Sequence, residues 1–179
     1  MELIKVHDKF FQPFIGAEAI QQKVKEIALH INKDYETLEP LFIAILNGSF
    51  VFASDLFRHI SIPAEISFIK LASYKGTTSS GNVITAIGLD ENLAGRNIVI
   101  IEDIVDSGKT LDSFLHEIWQ RHPATVKIAS FLSKPTALKY DVKPDYVCFE
   151  IPDNFVVGYG LDYDGLGRNI PELYTLAHQ

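Results

Sequence analysis

The chain has 179 residues, of which 47% are apolar and 22% charged, and its formal net charge at pH 7 is −7. This composition is typical of a folded globular protein, and it lacks the Lys- and Arg-rich runs that bind nucleic acid through its phosphates. The N-terminal stretch MELIKVHDKF has no apolar signal-peptide core and no apolar run approaches a membrane span, so we expect a cytoplasmic protein that enters no membrane.

The first predicted element is a helix, because apolar residues recur every three to five positions and so share one helical face. These positions are Ile15, Ile20, Val24, Ile27 and Ile31. The continuous apolar run LFIAIL (41–46) then predicts a strand buried on both faces. A tight turn at Asn47-Gly48-Ser49 follows it, and a second helix is predicted to begin in SFVFASDLF.

Further segments have the β-branched and aromatic content of strands. They are AEISFIKLASY (64–74), VITAIGL (83–89), NIVIIED (97–103), TVKIASFL (125–132) and DYVCFEI (145–151). Cys148, the only cysteine, lies in the last segment and is interpreted as a small buried hydrophobe. The apolar stripe Leu111, Phe114, Leu115, Ile118 and Trp119 predicts a helix over 110–121 that Pro123 ends.

Strands that alternate with helices predict an α/β fold with a mainly parallel, twisted sheet flanked by helices. In such folds the ligand site lies at the carboxyl ends of the strands. One segment between two predicted strands, SYKGTTSSGN (73–82), is polar and rich in Ser, Thr and Gly. Two interpretations of it stay open, a simple hairpin turn and a mobile lid over the site.

The stretch IVIIEDIVDSGKTL (98–111) places acidic residues beside a possible phosphate cradle. It ends like a nucleoside triphosphate P-loop, but that pattern requires glycine where this chain has Asp103, whose carboxylate would repel phosphate oxygens. Residues 106–110 place successive N–H groups at the start of a helix, where a phosphate-like anion is favoured, and Ser107 and Thr110 add hydroxyl donors. Glu102 and Asp103 are acceptors whose natural partners are hydroxyls such as those of a ribose. The alternative is that these acids are solvated cap residues.

The stretch VIIEDIVDSGKTL resembles the phosphoribosyl-pyrophosphate signature of the type I phosphoribosyltransferases. LNGSFVFASDL resembles the pyrophosphate-binding loop of this family and SYKGTTSSG its closing lid. SFLSKP resembles the segment that carries a purine-reading lysine, and DYVCFEIPDNFVVGYGLDYDGLGRNIPEL the hood and base pocket. The last two narrow the resemblance to the hypoxanthine-guanine branch, and the resemblance covers nearly the whole chain after about residue 40.

The resemblance implies roles on the sugar and phosphate side. Glu102 and Asp103 would hold the ribose hydroxyls, and Asp106 would be the acid/base group that faces N7 of the purine. The 5′-phosphate would contact Asp106, Ser107, Gly108, Lys109 and Thr110. Asn47, Gly48 and Arg168 would bind pyrophosphate, although many relatives have lysine where this chain has Asn47, so we expect that loop to bind through backbone N–H groups.

On the purine side, Lys134 would donate to the exocyclic O6, Phe155 would stack on the base and the Val156 backbone would read its edge. Ile104 would pack on the opposite side of the base, and Asp162 would line the pocket. The resemblance implies Mg²⁺ as cofactor, associated with Asp162, Glu102 and Asp103. The lid would include Ser73 and Tyr74.

The implied activity is transfer of 5-phosphoribose from phosphoribosyl pyrophosphate to N9 of hypoxanthine or guanine, a purine salvage reaction. The expected partners are these small molecules, with no nucleic acid and no membrane, and relatives imply a homodimer or homotetramer. Residues 1–179 would form a single domain whose small hood is built from the N-terminal segment and about 150–179. The alternatives are a xanthine-preferring transferase and a nucleotide-sensing regulator with the same fold.

Overall fold

The computed structural model describes residues 2–75 and 82–177, and for 72–75 and 82–87 it describes the backbone alone. Within these residues the chain forms strands and helices in the following order. They are β1 (Ile4–Val6), β2 (Lys9–Ile15), α1 (Ala17–Asp34), β3 (Leu41–Leu46), α2 (Phe50–Arg58), β4 (Glu65–Lys75), β5 (Asn82–Ile87), β6 (Asn97–Val105), α3 (Lys109–Trp119), β7 (Thr125–Ser133), β8 (Tyr146–Glu150), β9 (Val156–Val157) and β10 (Leu173–Leu176).

The larger sheet has the strand order β5-β4-β3-β6-β7-β8. Strands β4, β3, β6, β7 and β8 are parallel, and only the edge strand β5 runs antiparallel, paired with β4. The predicted α/β fold with a mainly parallel sheet is therefore confirmed. From the central strand β3 the chain crosses to β4 on one side, whereas from β6 it crosses to β7 on the other side. The adjacent carboxyl ends of β3 and β6 therefore form the switch point where such sheets bind ligands.

Both faces of this sheet are covered, which explains why its central strands are continuously apolar. Phe42 and Ala44 of β3 face the buried cluster that includes Ile20, Val24 and Ile31 of α1. Leu41, Ile43 and Ile45 of the same strand face the cluster that includes Leu111, Phe114 and Ile118 of α3. Alternate residues of one strand thus enter two different cores.

The smaller sheet has the order β1-β2-β10-β9, with all its pairs antiparallel. We call this sheet the hood. It joins the two ends of the described chain, since Leu173 of β10 pairs with Ile15 of β2. Its own small core contains Val6, Phe11, Val157 and Tyr174. The hood therefore links the N-terminal hairpin to the segment that follows β8.

Two details of the helix predictions are wrong. Helix α1 begins at Ala17, and Ile15 belongs to β2, because its apolar side chain continues the hood pairing. Trp119 shares the apolar stripe of α3 in sequence, but 50% of its surface is exposed because it lies in the last turn of the helix. Cys148 is buried and unbonded, as predicted. No helix among the described residues is long and apolar enough to cross a membrane.

Candidate active site

The loop after β6 forms a cradle at the switch point. Gly108 has φ +81°, a left-handed conformation that glycine adopts without steric cost, and helix α3 begins at the next residue, Lys109. The first-turn N–H groups of a helix have no partner within it, so they are open to an anion. A cavity of about 170 Å³ lies against this turn and is lined by residues 102 and 104–111. Its lining includes Asp106, Ser107, Gly108, Lys109 and Thr110.

Two carboxyl groups lie at the end of β6, beside the cradle. Burial, reinforced by the neighbouring charge of Asp103, raises the pKa of Glu102 well above its ordinary value. Burial also raises the pKa of Asp103 to about 6, although the Ile104 N–H donates to its Oδ1 at 2.9 Å. Among the described residues, Oε2 of Glu102 has no hydrogen-bond partner. Buried acceptors without partners are rare, and this oxygen is placed to accept from a hydroxyl or to contact a cation.

The turn after β3 lies directly against Asp103. A Cβ atom on Gly48 would overlap the Asp103 carboxylate, so only glycine allows this approach. Ser49 is buried and its Oγ donates to the Ile45 carbonyl at 2.6 Å, which fixes the start of α2. The peptide bond between Leu46 and Asn47 is cis, and Asn47 itself is exposed. The pyrophosphate-type loop and the acidic end of β6 are therefore one continuous surface.

Lys134 enters the site from the end of β7. Only 8% of its side chain is exposed, and its Nζ donates to Oδ2 of Asp106 at 3.0 Å and to Oδ1 of Asp153 at 3.1 Å. Burial by itself would lower the pKa of Lys134, but the hydrogen bonds that it donates to the two carboxylates outweigh burial and raise the pKa. The ammonium is therefore charged and can donate to a third acceptor.

A second cavity, of about 240 Å³, shares Ile104 and Asp106 with the cradle. Its lining consists of Asp103, Ile104, Asp106, Lys134, Asn154, Phe155, Val156, Leu161 and Asp162. Phe155 leaves 46% of its surface exposed, and its ring contacts Phe11 and Tyr163, with centroid distances of 6.1 and 5.7 Å. The cavity thus combines apolar walls with a buried ammonium, which suits a flat heterocycle bearing an acceptor.

Arg168 lies in the segment between β9 and β10, close to the acidic end of β6. Its Nη2 pairs with Oδ1 of Asp162 at 2.7 Å, and its Nη1 donates to the Gly160 carbonyl at 2.7 Å. The charge of Arg168 also lowers the pKa of Asp103, which opposes the effect of burial. The remaining oxygen of Asp162 accepts from the Gly165 N–H at 2.7 Å. Arg168 is therefore held close to the acidic end of β6, where its charge can bind an anion.

The predicted site residues outside the lid are brought to one end of the large sheet, although their individual roles stay predictions. Ser73 and Tyr74 belong to β4, paired with Ile84 and Val83 of β5, and their side chains lie outside the described residues, as does the whole of 76–81. The sequence interpretation missed Asp153, the second partner of Lys134. Its position just after β8 was the available signal, because carboxyl ends of parallel strands carry ligand-binding groups.

Comparisons with known proteins agree with this geometry. The family model for the phosphoribosyl transferase domain matches residues 16–164. The hypoxanthine-guanine phosphoribosyltransferase of Bacillus subtilis (strain 168) is 45% identical over 164 residues, which cover 90% of this chain and 91% of that protein. A crystal structure of a hypoxanthine-guanine phosphoribosyltransferase from Bacillus anthracis has a TM-score of 0.84 and 40% identity, covering 92% of this chain and 96% of that one. A hypoxanthine phosphoribosyltransferase from Staphylococcus aureus has a TM-score of 0.86 and 37% identity, covering 93% and 91%.

Proposed function

The chain belongs to the phosphoribosyltransferase family, and we propose that it transfers 5-phosphoribose from phosphoribosyl pyrophosphate to N9 of hypoxanthine or guanine. The products are the purine nucleoside monophosphate and pyrophosphate, a reaction of purine salvage. The observation that carries this proposal is the pair of adjoining cavities, one a phosphate cradle and the other lined by a buried lysine. They meet at Asp106, where the new glycosidic bond would form.

The sugar-phosphate side is assigned from its donors and acceptors. The 5′-phosphate accepts from the N–H groups of 106–110 and from the hydroxyls of Ser107 and Thr110. The ribose hydroxyls donate to Glu102 and Asp103, whose pKa values are raised because burial disfavours their charged forms in the free protein. Hydroxyl donors or a cation would stabilise those charged forms. Asn47, Gly48 and Arg168 receive the pyrophosphate.

The purine lies between Ile104 and Phe155, with its edge against Val156. The ammonium of Lys134 donates to the exocyclic O6, and adenine, which presents an amino donor there, leaves both groups unpaired. During transfer the bond from C1 of the sugar to the pyrophosphate oxygen breaks as the bond from N9 to C1 forms. Asp106 accepts the proton that the purine loses at N7. Positive charge that develops on the sugar is stabilised by the carboxylates of Glu102 and Asp103.

The carboxylates also fit a role toward magnesium. Magnesium is usually held by one or two carboxylates together with substrate phosphates, and Glu102 has a buried oxygen without a partner among the described residues. We assign Glu102, Asp103 and Asp162 to this role. No group of three or more acidic, His or Cys side chains among the described residues is placed to hold a metal ion by itself, so substrate phosphates would have to complete the set of ligands. When bound, Mg²⁺ would neutralise charge on the departing pyrophosphate.

The test is a panel of nucleobases, each supplied with phosphoribosyl pyrophosphate and Mg²⁺, with nucleotide formation as the readout. Hypoxanthine and guanine should be converted, and adenine and uracil should not. Conversion of xanthine ahead of both would identify the xanthine-preferring alternative. No conversion of any base, with tight binding of a nucleotide instead, would favour a regulator and contradict the proposal.

The assembly proposed from the family is a homodimer or homotetramer. Light scattering coupled to size-exclusion chromatography, run over a range of protein concentrations, measures the mass directly. A monomeric mass at all concentrations would reject this part of the proposal.

A further inference from the structure

The turn at 158–160 lies between the purine-reading strand β9 and Asp162. Its three residues all have positive φ, with Gly158 at +109°, Tyr159 at +48° and Gly160 at +98°. Glycine adopts such values freely, whereas for an aromatic residue they are uncommon and are maintained by surrounding contacts. Tyr159 N–H donates to the Ile170 carbonyl at 2.7 Å, and Gly160 N–H to the Arg168 carbonyl at 3.0 Å.

The side chain of Tyr159 anchors this turn in the core of the large sheet. It is 2% exposed, and its ring lies 4.6 Å from that of Phe131 on β7, centroid to centroid. Its hydroxyl donates to Oδ2 of Asp55 on α2 at 2.8 Å, and Gln21 on α1 donates to the same oxygen at 2.6 Å. Burial and the hydrogen bond to Asp55 both raise the pKa of the hydroxyl, so it acts as a neutral donor. The turn is thereby tied to two helices.

The opposite side of the turn touches groups assigned to pyrophosphate. The Gly160 carbonyl accepts from Nη1 of Arg168 at 2.7 Å. A Cβ atom on Gly160 would overlap the Gly48 carbonyl oxygen, so the two glycine backbones are in direct contact. Gly160 therefore contacts both the guanidinium, which Asp162 also holds, and the backbone of the 47–48 loop.

We propose that Tyr159 is a positioning residue for pyrophosphate: its hydroxyl, held by Asp55, fixes Gly160 and through it Arg168 and Gly48. This inference rests on the proposed function, since it assigns a cause to the affinity for phosphoribosyl pyrophosphate. Tyr159 itself touches no substrate in this scheme. It acts through the backbone that it anchors.

The purine-reading residues are held by different bonds. The Phe155 carbonyl accepts from the Leu176 N–H at 3.0 Å and from the Thr175 hydroxyl at 3.3 Å, and Val156 pairs with Thr175 in the hood. None of these bonds involves the Tyr159 hydroxyl. Loss of that hydroxyl should therefore weaken the binding of phosphoribosyl pyrophosphate far more than the binding of the base.

A matched control exists in the same chain. Tyr146 is also buried, at 7% exposure, and its hydroxyl donates to Oδ2 of Asp34 at 2.6 Å. It pairs with Ala129 at the beginning of β8, toward the amino end of the sheet. Tyr146→Phe thus removes the same kind of hydrogen bond without touching the site.

The experiment compares wild type, Tyr159→Phe and Tyr146→Phe by steady-state kinetics, thermal unfolding and calorimetric titration with phosphoribosyl pyrophosphate and Mg²⁺. Tyr159→Phe should raise the KM and the Kd for phosphoribosyl pyrophosphate roughly five- to tenfold, the scale of one lost hydrogen bond. Its KM for hypoxanthine should stay within about twofold of wild type. Tyr146→Phe should lower the unfolding temperature but leave both KM values unchanged.

Equal changes in both KM values of Tyr159→Phe, or no change in either, would overturn the inference. So would the same rise in KM with Tyr146→Phe, since the effect would then follow stability alone. If Tyr159→Phe does not fold, Asp55→Ala, which leaves the ring in place, is judged by the same criteria. If the wild-type protein binds phosphoribosyl pyrophosphate but transfers phosphoribose to no base, the proposed function is wrong. The calorimetric comparison of the variants would still decide this inference.

Discussion

Acidic groups at the two ends of the large parallel sheet have pKa values shifted in opposite directions. At the amino end, Lys127 Nζ donates to Asp34 at 3.0 Å and to the Tyr146 hydroxyl at 3.1 Å, and Tyr146 in turn donates to Asp34. These bonds, led by the one from Tyr146, lower the pKa of Asp34. At the carboxyl end, burial raises the pKa values of Glu102 and Asp103 instead. Asp34 is thus paired within the protein, whereas Glu102 and Asp103 are buried and Oε2 of Glu102 has no hydrogen-bond partner among the described residues.

Under the proposed function, this difference separates acids that bind the substrate from an acid that only stabilises the fold. Groups that only stabilise the fold pair with one another, so their ionised forms are favoured. Acids whose pKa values are raised by burial cluster at functional sites, which agrees with the substrate-binding roles proposed for Glu102 and Asp103. The two lysines differ in their surroundings, since Lys127 lies beside tyrosine rings whereas Lys134, although paired with Asp106 and Asp153, also lines a cavity.

Of the differences expected between substitutions at the two ends of the sheet, the largest should be in kcat. Asp106→Asn should lower kcat by roughly 10²–10⁴-fold, the range typical of a general acid/base, with little change in phosphoribosyl pyrophosphate affinity. The amide oxygen of asparagine can still accept a hydrogen bond from Lys134. The substitution therefore abolishes proton transfer but keeps the position of the side chain. Asp34→Asn at the amino end is the control and should keep wild-type kcat. A loss of less than about threefold in Asp106→Asn would remove Asp106 from its role.

Substitution of Lys134 should change the selectivity between hypoxanthine and adenine, whereas substitution of Lys127 should not. Lys134→Gln should lower kcat/KM for hypoxanthine by roughly 10- to 100-fold and narrow its advantage over adenine, because glutamine can both donate and accept. Lys127→Gln, at the other end of the sheet, should leave the hypoxanthine-to-adenine ratio unchanged. Paired rate measurements on both bases give the ratio. An unchanged ratio in Lys134→Gln would reassign discrimination to the backbone around Val156.

Removing the charge of an acid should increase the free energy of unfolding at the carboxyl end of the sheet and decrease it at the amino end. Because the pKa of Asp103 is raised to about 6, its ionised form destabilises the fold, and this loss sets in as pH rises from about 4 to about 6. Asp103→Asn should therefore increase the free energy of unfolding at pH 7 by up to about 3 kcal/mol, with the difference vanishing near pH 4. Asp34→Asn should decrease it, because the lowered pKa of Asp34 contributes stability that is present at neutral pH and lost only in acid.

Urea unfolding of wild type and both variants at several pH values measures these differences. A destabilised Asp103→Asn at pH 7 would show that the carboxylate is satisfied within the free protein, and the contrast between the two ends would fail.

The sequence predicted the large sheet well because its signals are local. Runs such as LFIAIL carry the pattern of a doubly buried strand on their own, and the turn at 106–110 combines a glycine with a helix start. The hood strands escaped prediction because β9 has only two residues and β2 pairs with a strand more than 150 positions away. Short strands of this kind are stabilised by distant partners, so their own residues carry little pattern.

The same reason limits prediction of the site. Glu102 lies near the end of a recognisable strand and Asp106 and Lys134 directly follow one, so a sequence pattern can identify them. Asp153 becomes meaningful only when β7 and β8 place it beside Lys134, and Tyr159 only when its hydroxyl meets Asp55 on α2. Supporting contacts between distant segments therefore need the structure.

The most direct measurement of the central claim is the stoichiometry of the reaction itself. Wild-type protein is mixed with hypoxanthine, phosphoribosyl pyrophosphate and Mg²⁺, and inosine monophosphate and pyrophosphate are quantified over time. The account predicts that both products appear in equal amounts and that formation of both stops when the metal is chelated. Pyrophosphate released without inosine monophosphate, or hypoxanthine left unchanged while phosphoribosyl pyrophosphate is bound, would contradict it.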